Sequence, residues 1–345
     1  MERILASIEK VLALDPIPDA DKIEVATIKG WKVVCQKGLY EVGDLACYFE
    51  VDSWIPTAVA PFLTKPDHFP KVYNEVEGER LKTVKLRNQV SQGLLLPLWE
   101  ETIKDKVQGL EEGTDLTELL GIQKWEPPVP AQLAGLVKGM FPPFIRKTDQ
   151  ERIQNLTHYF EKYKDKKFEV SIKLDGSSMT VYKKDEDFGV CSRNLDLKED
   201  TCNSFWNTAN KLNLREDLTR IGRNIAIQGE LIGEGIQNNP EKIKGQEFYV
   251  FDIWDIDKRR HLTAPERKEV LSLLPQLKTV PILHESYPVF VSHDTMDKIL
   301  AFAGAGPSLN AAIREGLVFK SVEVEGEEVI SFKAINNQYL ITHGG

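Results

Sequence analysis

The segment Glu169-Val170-Ser171-Ile172-Lys173-Leu174-Asp175-Gly176-Ser177-Ser178 holds a primary amine and a carboxylate two residues apart. Alternate residues of an extended strand share a face, so Val170, Ile172 and Leu174 form a buried set. Ser171, Lys173 and Asp175 then point the other way, and Gly176 lets the chain turn closely past a ligand. A lysine amine attacks an electrophile only when neutral, and its ordinary pKa of ~10.4 keeps it protonated near neutrality. Nucleophilic work at Lys173 therefore calls for nearby positive charge, most usefully a divalent metal, to destabilise the ammonium. A carboxylate paired directly with the amine would do the reverse, so Asp175 is expected on ribose or on metal-bound water. Taken alone, Lys-x-Asp-Gly reads equally well as a surface ion pair of little energetic weight.

The segments that follow add context. Cys191-Ser192-Arg193-Asn194 comes after an expected strand, and Ile225-Ala226-Ile227-Gln228-Gly229-Glu230-Leu231-Ile232-Gly233 reads as another, with Gln228 and Glu230 on one face. Phe248-Tyr249-Val250-Phe251-Asp252-Ile253 is strongly apolar and aromatic. Glu315-Gly316-Leu317-Val318-Phe319-Lys320 and Ser331-Phe332-Lys333-Ala334-Ile335-Asn336 close the series. In this order the series resembles the six collinear motifs of the covalent nucleotidyltransferase superfamily, which holds DNA ligases, RNA ligases and mRNA capping enzymes. Its finer likeness is to ATP-dependent RNA ligases that join 5′-phosphate and 3′-hydroxyl ends, of the RNA ligase family 5 type. Those proteins place an OB domain first, then the nucleotidyltransferase domain, with nothing after the last motif. Arg80 to Arg87, Gly93 to Pro97 and Lys147 to Asn155 resemble further segments of that family. DNA ligases and capping enzymes normally carry the OB domain after the catalytic one.

The resemblance implies that Lys173 attacks the α-phosphate of ATP, releases pyrophosphate and carries AMP. It implies a nucleotide-binding set of Arg152, Ile172, Asp175, Gly176, Arg193, Glu230, Phe251, Lys320 and Lys333. Within it, Phe251 would stack on adenine, though Phe248, Val250 and Phe251 also read as plain core. Arg193 would hold ribose or a 5′-phosphate through bidentate donors, and Arg152 would reach the AMP phosphate. Lys320 and Lys333 would neutralise the triphosphate. Asp175, Glu230 and Glu315 would engage Mg²⁺ or Mn²⁺, chiefly through water, since such hard cations favour oxygen donors. Glu315 and Lys320 stand five apart, on opposite faces of a regular strand, so a twist or bulge at Gly316 is expected. Ser331 departs from relatives that carry a second lysine two residues before Lys333. The partner implied is RNA, a nicked duplex by preference, joined through an adenylylated 5′ end in RNA repair. The alternatives are a DNA ligase or GTP-using capping guanylyltransferase on the same fold, or a non-catalytic OB nucleic-acid-binding protein.

These residues need scaffolds. The first ~125 residues read as short strands between Gly and Asp turns: Ile23–Ile28, Trp31–Cys35 and Leu45–Val51, a pattern of a small antiparallel barrel. Leu81-Lys82-Thr83-Val84-Lys85-Leu86-Arg87 sets cations around an apolar stripe. On an OB barrel it could track a phosphate backbone; its other reading is a strand edge protected by lysines. Prolines and glycines from Trp125 to Pro143 mark a stiff connection, and Ile153, Leu156 and Phe160 predict a helix over Asp149–Tyr163. The expectation is an α+β chain: an OB-type β-barrel over 1–125, a linker over 126–145, and over 146–345 an adenylyltransferase domain, ATP-grasp-like with antiparallel sheets.

Composition agrees. With 345 residues, 41% of them hydrophobic and 28% charged, the chain has the make-up of a folded globular protein of two domains. No apolar run approaches the ~20 residues of a membrane span, and no signal-peptide pattern opens the chain, so a cytoplasmic monomer is expected. The four cysteines are dispersed, which points to reduced thiols rather than a thiolate metal site or a disulfide framework. A net charge of −9 argues against indiscriminate nucleic-acid coating but leaves room for local basic sites.

Overall fold

The structure, a computed structural model, describes residues 3–127, 135–200, 202–326 and 328–343. These residues form two compact units: one built from residues up to 127 with 154–157 and 340–343, the other from residues 135–153 and 158–339.

The first unit centres on an antiparallel five-stranded sheet. Its strands Ala6–Pro16, Ile23–Ile28, Trp31–Gln36, Leu45–Phe49 and Leu94–Pro97 run in the spatial order fifth, fourth, first, second, third. This is the OB-type barrel expected, and the three anticipated strands recur within two residues. The long first strand carries no turn punctuation of its own and escaped the sequence reading. Trp31, Tyr48 and Val33 alternate inward with Ile28 and Ala26 to fill one side of the core, while Ile8, Phe49, Ile55 and Leu96 fill the other. A second sheet takes Ser53–Pro56, Val76–Arg80 and Lys71–Tyr73 from the connection between the fourth and fifth barrel strands, and Gln123–Lys124, from beyond the fifth, pairs at the edge of Ser53–Pro56.

The second unit has two antiparallel sheets. The larger orders Val137–Met140, Leu195–Leu197, Asp187–Cys191, Ser177–Lys184, Ile225–Gly233, Gln246–Asp255 and Arg260–His261, with Lys278–Thr279 added in parallel. Helices Ser204–Lys211 and Leu214–Ile221 cover one face through Phe205, Trp206, Leu214 and Leu218. The first of them starts where the Asn203 side chain accepts the amides of Phe205 (2.9 Å) and Trp206 (3.4 Å). The smaller sheet orders Ile282–Tyr287, Phe168–Lys173, Gly316–Glu325 and Glu328–Ile335. Phe168, Phe290, Phe319 and Phe332 pack under it, with the last two rings stacked 4.6 Å apart.

Two local expectations change. The stretch read as a stiff connection contains a strand, since Val137–Met140 pairs with Leu195–Leu197; its residues 128–134 lie outside the described residues. In place of a helix over Asp149–Tyr163 there is a single 3₁₀ turn, Ile153–Asn155, and a short helix, Tyr159–Lys162. Tertiary demands override the periodicity. The backbone of Arg152 bridges Lys333, and the Asn155 side chain accepts the Trp31 indole N–H at 2.6 Å while donating to Glu50 at 2.5 Å.

Candidate active site

The lysine strand delivers what its alternation promised. Phe168, Val170 and Ile172 are buried on one face, and Lys173 ends the strand on the other, partly open to solvent. Ile172 thus turns its side chain to the face opposite Lys173. Lys173 Nζ lies 2.7 Å from Glu315 Oε2. Asp175 accepts the Tyr339 hydroxyl at 2.6 Å rather than pairing with the lysine. Gly176 passes so close to the neighbouring strand that a Cβ would sit 2.5 Å from the Leu231 carbonyl oxygen and 3.0 Å from Glu230 Cγ. Any side chain there would push apart the segments that carry Asp175 and Glu230.

Glu315 reaches Lys173 without the anticipated bulge. The register from Gly316 to Lys320 against Phe168–Lys173 is regular. Glu315 precedes the first paired residue, Gly316, and is therefore exempt from strand alternation. Gly316 is needed for room, since a Cβ would meet the Ala334 carbonyl at 2.3 Å.

Burial and mutual proximity shape the electrostatics of these groups. Burial pushes the Glu230 carboxyl up to about 8, with Glu315 and Asp175 adding to the rise and Lys173 opposing it. Glu315 is raised as well, again by burial first, against the pull of Lys173. For Lys173, burial favours the neutral amine, but Glu315, Glu230 and Asp175 outweigh it and hold the ammonium above the usual lysine range. Three carboxyl groups around one amine gather oxygen donors in a recessed place, a donor set that suits a hard divalent ion. Among the described residues no three acidic, His or Cys side chains converge on one point as direct metal ligands.

Phe251 stands apart from the core alternative. Phe248 and Val250 are 2% and 1% exposed within the core, whereas Phe251 is half-buried. The pairing jumps from Gln228↔Asp252 to Gly229↔Val250, leaving Phe251 as the extra residue of a β-bulge. A bulge re-aims a side chain and strips a carbonyl of its ladder partner. That carbonyl accepts from the Lys320 ammonium.

Lys320 is thereby committed. It is 5% exposed and 2.9 Å from Asp252, in a buried ionic network that Arg267 extends to Glu169. Burial lowers its pKa despite Asp252. The cations at the other end of the series converge instead on Asp149: Arg193 lies 3.2 Å and Lys333 3.8 Å from its carboxylate. Arg152, 7% exposed, runs beside Lys333 in a parallel bridge. Ser331 lines a cleft of about 140 Å³ with Arg146, Lys147, Arg259 and Arg260, so cations stand near the position where relatives carry lysine. Sequence reasoning missed Tyr339 and Asp149. Tyr339 follows the last motif with no spacing cue, and Asp149 falls in a stretch read only as helix.

A lysine set among three carboxylates, in a chain that also holds an OB barrel earlier in its sequence, is the outline of a covalent nucleotidyltransferase joined to a nucleic-acid-binding module. A family model for an OB-fold domain matches residues 5–98, and one for RNA ligase matches residues 166–335. No curated protein matches the chain significantly. Among solved structures, a glutamate-to-alanine variant of Naegleria gruberi RNA ligase with AMP and Mn is 45% identical over 99% of both chains, with a TM-score of 0.89. A lysine-to-alanine variant of that enzyme with ATP and Mn gives 45%, 99% of both chains and 0.88. The same enzyme with PPi gives 45%, 99% of both chains and 0.88. The chain belongs to the RNA ligase family, with an OB-fold domain at its N-terminal end.

Proposed function

We propose that this protein is an ATP-dependent RNA ligase that joins 3′-hydroxyl and 5′-phosphate ends through a lysyl-AMP at Lys173. The observation that carries the reading is the Lys173–Glu315 pair at 2.7 Å with Glu230 and Asp175 around it, in a chain whose relatives are solved with ATP, AMP and PPi. Neutral Lys173 forms a P–N bond to the α-phosphorus while the bond to pyrophosphate breaks. The RNA 5′-phosphate then displaces the lysine to give an adenylylated 5′ end, and a 3′-hydroxyl attacks that end and expels AMP.

The residues divide this work. Glu315 holds the Lys173 ammonium in place and is the nearest group to its departing proton. Asp175, fixed by Tyr339, and Glu230 and Glu315 would hold Mn²⁺ or Mg²⁺ through its water shell. Such an ion supplies positive charge that lowers the lysine pKa and offsets charge on the phosphate. Phe251 offers its ring to adenine, with Lys320 fixing the bulge that presents it. Arg152, Arg193 and Lys333 meet the nucleotide's phosphate and ribose, exchanging Asp149 for the ligand. We propose further that the protein acts as a monomer, and that a nicked duplex is its preferred RNA substrate.

The test is sealing of nicked duplexes. Wild-type protein with ATP and Mn²⁺ should join a nick with RNA ends, and K173A should not. Sealing confined to an all-DNA nick, or a covalent adduct with GTP alone, would replace this reading with one of its relatives on the same fold.

A further inference from the structure

Resting on that reading, we infer that the hairpin Val84–Ser91 of the OB unit is the element that grips the RNA backbone, through Lys82, Lys85 and Arg87. Its place is suggestive. It lies in the connection between the fourth and fifth barrel strands, one of the two loops through which OB barrels engage oligonucleotides. Val84–Leu86 and Gln89–Ser91 form a sheet of their own, off the barrel sheet. Arg87 and Asn88, with φ of +47° and +65°, make the tight turn between them.

The base of the hairpin is fixed and its arm is bare. Ser91 Oγ accepts the Val34 amide at 2.9 Å, the Gln92 amide donates to the Lys32 carbonyl at 2.8 Å, and the Tyr48 hydroxyl donates to the Gln92 carbonyl at 3.1 Å. Gly93, at φ +129°, lies where a Cβ would be 2.3 Å from the Tyr48 ring. Beyond that anchor Lys82, Lys85 and Arg87 are all exposed, and none makes an ion pair among the described residues. Neighbouring Arg80 behaves differently, bonded to Asp52 at 2.7 Å and lying 3.8 Å over the Trp125 ring.

The composition of the hairpin is as selective as its position. No acidic residue occurs from Leu81 to Trp99, in a chain whose net charge is −9. The arm and its approach carry three cations and no anion. Val84 and Leu86, 45% and 43% exposed, add apolar contact for ribose or a base face. An arm anchored at its base loses little conformational entropy on binding a polyanion, and its cations have no ion pair to break, among the described residues, before they reach phosphate.

The experiment compares wild type with K82A/K85A/R87A. It measures lysyl-AMP formation from labelled ATP, and binding and sealing of a nicked RNA duplex across a salt series. Each phosphate contact contributes about 0.9 to the slope of log K against log salt. The triple variant should therefore lose about 2–3 from that slope, and bind and seal about 10–100-fold more weakly near 0.15 M salt, while forming lysyl-AMP at the wild-type rate. K82R/K85R should seal like wild type, which separates charge from fold. A triple variant with unchanged slope and sealing overturns the hairpin assignment alone. A wild-type protein that forms no lysyl-AMP overturns the function beneath it.

Discussion

The two units use cations in opposite ways. Around Lys173 the positive charges are engaged: Lys173 by Glu315, Lys320 by Asp252, and Arg193 with Lys333 by Asp149. On the OB hairpin, Lys82, Lys85 and Arg87 stand in water with no acidic partner among the described residues. Among the engaged charges the buried pairs, above all Lys320 with Asp252, hold their groups in one geometry and resist salt, because the low local dielectric strengthens their interactions. Exposed charges attract a polyanion over several ångströms and are screened by salt. A ligase needs both: a site that fixes one phosphorus atom, and a surface that finds a strand by its charge.

The comparison can be broken most strongly at the paired site. E315A should lower lysyl-AMP formation by about 10²-fold or more, without changing the salt dependence of RNA binding. Single-turnover adenylylation beside a binding titration checks both halves, and an equal loss in the two would dissolve the division of labour.

F251A comes next. Loss of a stacked base costs ~1–3 kcal/mol, so the KM for ATP should rise by about 5- to 100-fold, with F251W restoring most of it. An unchanged KM would return Phe251 to the core reading.

Glu230 links catalysis to stability. Its folded pKa of about 8 lies above the unfolded value of 4.5, so the folded state binds the extra proton. Its contribution is present below pH ~4.5 and is lost as pH rises through about 8. E230Q should therefore melt higher than wild type at pH 8, show a smaller gain at pH 5, and form lysyl-AMP poorly. Calorimetry at the two pH values decides; a lower melting temperature at pH 8 would show that Glu230 already has its counterion in the free protein.

The smallest effect expected is one on stability. Glu266 accepts the Thr263 amide at 2.9 Å at the start of helix Ala264–Ser272, and its hydrogen bonds to Arg260 hold its carboxyl down near 2. E266A should cost about 1 kcal/mol and leave adenylylation intact. Since the folded pKa is depressed, wild type should lose this advantage as pH falls from 4.5 toward 2.

What could be read from the sequence divides by how local the cause is. Lys173, Asp175 and Glu230 were legible because alternation within one strand fixes their faces, and Gly176 because its lack of a side chain is its function. Glu315 was legible as an acid beside the site, but its orientation was not. Orientation depends on where pairing with Phe168–Lys173 begins, which a neighbouring strand decides. The exposure of Phe251 arises from a bulge that exists only against Gln228 and Gly229. The commitment of Lys320 to Asp252 joins strands far apart in the chain. The helix over Asp149–Tyr163 failed for a related reason: periodicity records a preference, while Lys333, Trp31 and Glu50 claim its backbone and side chains from a distance. Tyr339 left no local trace at all.

The central claim is that Lys173 carries AMP, and mapping the adduct tests it most directly. The protein would be incubated with ATP and Mn²⁺, digested, and the AMP-bearing peptide sequenced by mass spectrometry. The account predicts a single acid-labile P–N adduct on the peptide holding Lys173, absent from K173A. An adduct on any other residue, or one that persists in K173A, would contradict it.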